Sequence, residues 1–341
     1  SQSALAGDSV YVNTSSLRYR TSAQIKDNNI AGNLSYGQKL ERVGTSGQWT
    51  MILLNGKKYY VSSAYVTSKK PASAGAVQTT SQTAAGAQTS GGTAIALSSN
   101  YKYANYSKIN SGTATLYRST ASNKKNKVVC VNAGHGTNGG GSVKTQCHPD
   151  GSAKVTGGTT GAGATSAVAV SSGMTFADGT AESKVTLAMA KVLKTKLLNA
   201  GYDVLMIRES DDVQLDNIAR TVIANNNADC HIALHWDSTS SNKGAFFMSV
   251  PSNATYRAME PVASHWKQHN QLGESLISGL KSAGVKIYSK GSMEMDLTQT
   301  SYSTIPSVDI ELGDKASDHS GATLETLANG LLTGVNTFFG Q

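Results

Sequence analysis

Between residues 68 and 98 the chain is built almost only from Ala, Ser, Thr, Gly, Gln and Lys. Such a stretch cannot bury enough apolar surface to offset the entropy of ordering it, so a flexible linker is expected over 68–98. This segment constrains the fold most, because any hydrophobic core must form on one side of it or the other. The 341 residues are therefore expected to fold as two bodies, a small one before the linker and a larger one after it.

Residues 8–67 read as short strands separated by turns. Val10-Tyr11-Val12, Gln38 to Val43 and Trp49 to Leu53 are rich in β-formers. Asn55-Gly56 between two such runs is a two-residue hairpin signal, and Gly37 and Gly47 punctuate the others. So many strands in so short a segment predict a small β-barrel. A barrel this small needs aromatic residues in its core, and Trp49 is expected there rather than on a ligand-facing surface.

Residues 99–126 are mixed, and Tyr103 to Tyr117 is expected to form a hairpin around Ser111-Gly112. From residue 127 the pattern changes. Val128 to Asn132, Tyr202 to Ile207, Cys230 to His235 and Val308 to Glu311 are buried-strand runs. Helices are expected over 182–198, 215–224, 271–283 and 321–338, with Gly201 and Gly284 as stops. Strands alternating with helices imply an α/β fold, a twisted and mostly parallel sheet with helices on both faces. Ligands of such folds sit beyond the carboxyl ends of the strands.

The formal net charge is +8, but the 30 Lys and Arg are scattered. No dense basic helix or aromatic-basic interleaving marks a nucleic-acid groove. Diffuse positive charge suits an anionic extracellular matrix such as a cell wall. Three cysteines allow at most one bridge, and Cys130 and Cys230, in apolar strand-like runs, are expected as buried small hydrophobes. No apolar run is long enough to span a membrane. The polar start Ser-Gln-Ser is what a mature chain would show after removal of a signal peptide.

Four polar residues stand where an α/β fold places its chemistry. His135 follows the first strand through Ala133-Gly134, Glu182 opens the next helix, and His235 and Glu311 close two further strands. Singly, such residues are more often structural, or partners of a helix dipole. Jointly they converge on one rim, where two histidines and a carboxylate form a catalytic-zinc ligand set and a further carboxylate can serve as general base and acid.

The sequence around these residues resembles the zinc N-acetylmuramoyl-L-alanine amidases of the Amidase_3 family. The matching segments are Val128 to Gly136, Glu182 with its helix and Gly201 to Val204, Arg208 to Asp211, Arg220 with Ala224-Asn225, Ala228 to His235, and Pro306 to Gly313. They span about 127–338 in the family's order. The resemblance implies a zinc amidase, phosphorylase/hydrolase-like fold for residues 99–341. It implies Zn2+ held by His135, Glu182 and His235, with Glu311 as catalytic acid/base. The implied reaction is hydrolysis of the amide between N-acetylmuramic acid and L-alanine in peptidoglycan. Residues 8–67 resemble a bacterial SH3-like (SH3b) wall module, through Leu17 to Arg20, Ile30 to Leu34, Gly47 to Ile52 and Asn55 to Val66. Together these imply a secreted, wall-associated monomer acting on the glycan strands and stem peptides of peptidoglycan, with anionic wall polymers as further candidate partners. A non-catalytic wall-binding protein and a zinc peptidase cutting within stem peptides are the alternative readings.

The chain departs from the family pattern at Thr137, at Trp236-Asp237 and at Asp314. Trp236 and Asp237 are expected to line the cleft. The segment 137–178 is longer than the link expected between two ligands and must border the site, as a contacting loop or a passive insertion. Cys147-His148 within it is weak evidence for a second metal. His265 and His269 are expected to be exposed or stacked, His231 to pack or hydrogen-bond, and Asp318-His319 to lie in a solvated loop.

Overall fold

The computed structural model describes residues 8–14, 16–71 and 91–341, which form two compact units. Most of the expected linker, 72–90, lies outside the described residues.

The first unit is an antiparallel sheet of β1 (Asp8–Val12), β2 (Ser16–Arg20), β3 (Ile30–Ser35), β4 (Lys39–Ser46), β5 (Trp49–Leu54), β6 (Lys57–Ser62) and β7 (Val66–Thr67). Its strand order is β3-β2-β6-β5-β4-β1-β7. Asn55-Gly56 turns β5 into β6, with Leu54 paired to Lys57. The small core is aliphatic, formed by Val10, Val12, Leu17, Leu34, Leu40, Ile52 and Val61. Trp49 departs from expectation. Thr50 and Ile52 take the inward positions of β5, so the two-residue strand period leaves Trp49 and Met51 half-buried on the outer face.

The second unit is built on an eight-stranded sheet of order β16-β15-β17-β14-β10-β13-β9-β8. Its members are β8 (Thr93–Ala96), β9 (Thr113–Tyr117), β10 (Val128–Ala133), β13 (Asp203–Met206), β14 (Cys230–Asp237), β15 (Ala245–Ser249), β16 (Ile287–Glu294) and β17 (Ser307–Asp314). The four central strands β17, β14, β10 and β13 are parallel, and antiparallel pairs join β9 and β15 to them. β11 (Lys144–Gln146) and β12 (Ser166–Val168) form a separate antiparallel pair.

Helices cover both faces. Leucines and valines of α1 (Glu182–Asn199), α4 (Val262–Ser282) and α6 (Gly321–Phe339) share one core with Val129, Val131, Val204, Ile232 and Ile310. On the opposite face Ala219 and Ile223 of α2 (Asn217–Asn227) pack on Cys130, Leu205 and Ile207. Two short helices complete the unit, α3 (Ala254–Ala258) and α5 (Thr298–Tyr302). All three cysteines are buried and unbridged, as expected of Cys130 and Cys230. Among the described residues no helix is long and apolar enough to cross a membrane.

Several boundaries differ from the sequence reading. The last part of the expected linker is strand β8, because Ile95 has a core to join beside Ala114 and Leu205. No hairpin forms around Ser111-Gly112. Gly112 N–H donates to Gln214 O, and the Asp216 carboxylate accepts from the backbone of Lys108 and Ile109, so this segment binds another loop instead of itself. Asp216 also caps α2 by accepting from Ala219 N–H, which moves the helix start to Asn217. α4 begins at Val262, well before residue 271. Its first turns are rich in His and polar residues, so they lack the apolar period that marks the later ones.

Candidate active site at the carboxyl edge of the sheet

β10 and β14 run parallel, and the last pair of their ladder joins Ala133 to Leu234. The chain then turns through Gly134 and His135, and His135 adopts a left-handed φ of 66°. That conformation is costly for a non-glycine residue and persists only where surroundings enforce it. Two buried arginines do so. Arg220 donates to His135 O at 2.8 Å and to Thr137 Oγ1 at 2.9 Å. Arg208 bridges Gly134 O, at 3.0 Å, to Ser183 O of α1, at 2.8 Å. Burial lowers both guanidinium pKa values, to about 10 for Arg208 and about 9 for Arg220. Close approach requires glycine at two places. A Cβ on Gly134 would lie 2.3 Å from the His235 ring, and one on Gly173 would lie 2.8 Å from the His135 ring and 3.0 Å from Glu182 Oε1.

The structure brings together all four residues singled out from the sequence. Among the described residues, two groups of His, Asp and Glu come close enough to share a metal ion: His135, Glu182 and His235, and then His235, Asp309 and Glu311. In the first, His135 Nε2 lies 3.0 Å from Glu182 Oε1 and 3.1 Å from His235 Nδ1, and His235 Nδ1 lies 3.3 Å from Glu182 Oε2. Donors in tetrahedral contact with zinc at ~2.05 Å stand roughly 3.3 Å apart, so this triangle has the size of a metal site.

The surrounding hydrogen bonds set the donors. His135 Nδ1–H donates to Ser171 O at 2.8 Å, which leaves the Nε2 lone pair facing the triangle. His235 Nε2 lies 3.5 Å from Asp309 Oδ2, at the outer edge of hydrogen-bond range, and its Nδ1 faces inward. Glu182 is anchored by the N–H groups of Met174 and Trp236, each at 3.0 Å.

Glu311 pairs in register with His235 on the neighbouring strand and is 7% exposed. Among the described residues its Oε2 and Asp309 Oδ1 are buried without a hydrogen-bond partner. Burial, then the charge of Asp309, holds the Glu311 carboxyl well above the usual carboxylate range, with His235 opposing. Burial disfavours a charged His235, but Asp309, Glu182 and Glu311 outweigh it and push its pKa up to about 10. Burial would raise Glu182, but hydrogen bonds and charge from both histidines hold it below its ordinary value. Buried Glu182 and Glu311 and half-buried Asp309, set on two imidazoles, form a strongly cation-seeking cluster, and the orphaned oxygens of Asp309 and Glu311 leave acceptors free at its edge. The donor set therefore fits a divalent ion.

These groups line an open cleft of about 560 Å³. The segment 137–178 forms one of its walls, through Lys154, Thr159, Thr160 and Ser171 to Met174, so it borders the site as expected. Asp237 lines the cleft as expected and pairs with Lys243. Trp236 differs in part, because its ring is buried in the core against Phe176 and its backbone N–H is what reaches Glu182. Asp314 is buried and accepts from Thr239 Oγ1 and Ala316 N–H, tying two rim loops together.

The other histidines stay out of the cluster. His231 is buried beside Asn132 Nδ2 at 3.1 Å. His265 and His269 stack, but His269 is buried where exposure was one expectation, and its Nδ1 accepts from Ser307 N–H at 3.0 Å. His148 forms no metal site with Cys147; its Nε2 is 2.7 Å from buried Asp296. Sequence reasoning missed Asp309, although its signal was present: Asp309 and Glu311 alternate in an otherwise apolar strand and so share a face. Ser171 O and the Met174 and Trp236 amides left no signal, because backbone groups carry none.

A family profile described as N-acetylmuramoyl-L-alanine amidase matches residues 129–329, more than half of the chain. Among solved structures, the N-acetylmuramyl-L-alanine amidase Ami1 from Mycobacterium smegmatis is 18% identical, with a TM-score of 0.52 over 64% of this chain and 99% of that one. Its counterpart Ami1 from Mycobacterium abscessus is 19% identical, with a TM-score of 0.50 over 62% of this chain and 98% of that one. At these identities the likeness concerns the fold. No curated protein matches in sequence. The profile match over the sheet, its edge and its helices places this chain in the N-acetylmuramoyl-L-alanine amidase family, as an enzyme that hydrolyses peptidoglycan.

Proposed function

We propose that the protein is a zinc-dependent amidase that cleaves the bond between the lactyl group of N-acetylmuramic acid and L-alanine of the stem peptide. The observation that carries this reading is the 3.0–3.3 Å triangle of His135, Glu182 and His235 beside the buried, half-unpartnered carboxylate of Glu311. A zinc ion there would supply Lewis acidity, polarising the scissile carbonyl and acidifying a water molecule. Glu311 takes the proton of the attacking water and delivers it to the leaving amine, so one carboxyl acts first as base and then as acid. Its site favours both states in turn, because burial stabilises the protonated form and His235 the ionised one. Asp309 orients His235 and balances its charge. Arg208 and Arg220 hold the His135 turn and Glu182 in place before substrate arrives, which lowers the reorganisation needed during reaction.

Residues 8–67 act as an SH3b-like wall-binding module, the residues between it and β8 (Thr93–Ala96) as the link, and the unit that β8 opens as the catalytic domain of a secreted, wall-associated protein. Attachment raises the enzyme's local concentration on its substrate. Half-buried Trp49, on the outer face of β5, is a candidate wall contact.

Digestion of purified peptidoglycan followed by mass spectrometry tests the bond. Released peptides must begin with L-alanine and leave bare glycan strands. Fragments cut within the peptide would establish a peptidase instead, and equal activity of wild type and Glu311→Ala would exclude this catalytic assignment.

A further inference from the structure

One buried side chain, Asp296, clasps the middle of the wall formed by 137–178. Buried Asp296 accepts from His148 Nε2 at 2.7 Å and from Val155 N–H at 2.9 Å, and its own N–H donates to Thr156 Oγ1 at 2.8 Å. The backbone of Lys154, next to this clasp, is fixed by two hydrogen bonds of 2.9 Å with the backbones of Ala164 and Gly163. Among the described residues that line the cleft, Lys154 is the one Lys or Arg, whereas Glu182, Asp237, Asp309 and Glu311 also line it. Lys154 enters no ion pair among the described residues. Met248, Met293, Met295 and Leu297 add an apolar, adaptable surface to the same cleft.

A cation on a backbone fixed beside an otherwise acidic cleft favours an anion. On the amidase reading, on which this inference rests, the lactyl carboxylate is consumed in the scissile amide. The free carboxylates of the substrate therefore belong to its peptide, and thioether and leucine surface suits a peptide better than hydroxyl-rich sugar. We propose that Lys154 is a specificity-determining residue that pairs with a free carboxylate of the stem peptide, so that the enzyme prefers stems whose carboxylates are not amidated.

The test uses the full chain and two synthetic muramoyl peptides, one with free peptide carboxylates and one with the same groups amidated. Wild type should favour the free form, mainly through KM, by roughly five-fold, as for a partly exposed ion pair. Lys154→Ala should abolish that preference, Lys154→Glu should invert it, and Lys154→Arg should retain it. Circular dichroism and thermal midpoints check that each variant is folded. An identical free-over-amidated ratio in wild type and Lys154→Ala overturns the proposal while leaving the amidase reading intact. No turnover of either peptide by folded, zinc-loaded wild type overturns the amidase reading, and this inference with it.

Discussion

His135 and His148 each face a buried carboxylate, at 3.0 and 2.7 Å, yet only one of them belongs to a cluster built for a metal. The difference lies in what the second nitrogen and the neighbours do. His135 spends Nδ1 on a backbone carbonyl and aims Nε2 at Glu182 and His235 beside an open cleft. His148 is 1% exposed and spends Nε2 on Asp296 and Nδ1 on Ser152 Oγ, so no lone pair remains to converge with another ligand. A histidine-carboxylate contact is thus a site in one place and a clasp in the other, and the clasp holds a wall of the site.

The largest effect expected from breaking this contrast is at Glu182. Glu182→Ala should lose bound zinc and bring peptidoglycan hydrolysis to background, and chelation of wild type should do the same until zinc is restored. Metal analysis after dialysis checks it, and one retained equivalent in Glu182→Ala would mean the triangle is not the metal site. Next comes Glu311→Gln, which should keep its zinc while turnover falls about 10²–10⁴-fold, the range of general acid–base catalysis. Loss of metal in that variant would make Glu311 a ligand instead.

Asp296→Ala tests the clasp. It leaves His148 Nε2 and Val155 N–H without their acceptor, and should cost about 3–5 kcal/mol in urea unfolding while zinc stoichiometry is unchanged. Zinc loss there would erase the distinction between the two clusters.

The smallest effect concerns a third kind of buried histidine. Burial, aided by nearby Arg220, lowers the pKa of His231 to about 3, and burial does the same for His269. In the unfolded chain each titrates near ~6.5, so between about pH 6.5 and 3 the unfolded state binds more protons. Stability from both is complete above pH 6.5 and is lost on acidification. Between pH 6.5 and 5 each should contribute a loss of up to about 2 kcal/mol. Urea midpoints across that range should fall less steeply in folded His231→Gln, and an unchanged slope would exclude His231 as a source.

Much of this is legible in the sequence alone. The parallel strands announced themselves as apolar runs, because strands covered on both faces have little room for polar residues. His135, Glu182, His235 and Glu311 stood out because they interrupt or close those runs at the edge where α/β folds place chemistry. β15 and β16 went unread, and β16 carries irregular left-handed residues at Ser289 and Gly291 that blur any strand period. Trp49 was misplaced because a one-residue choice of register exchanges the two faces of a strand.

By itself, then, the sequence determined where the two bodies lie and which side chains can do chemistry, since hydrophobic period and residue type are local properties. Only the tertiary structure decided which histidines share a centre, which carboxylate supports a ligand and which fastens a wall. Those outcomes depend on distances between residues far apart in the chain, on backbone groups that every residue carries, and on burial that no single position reveals.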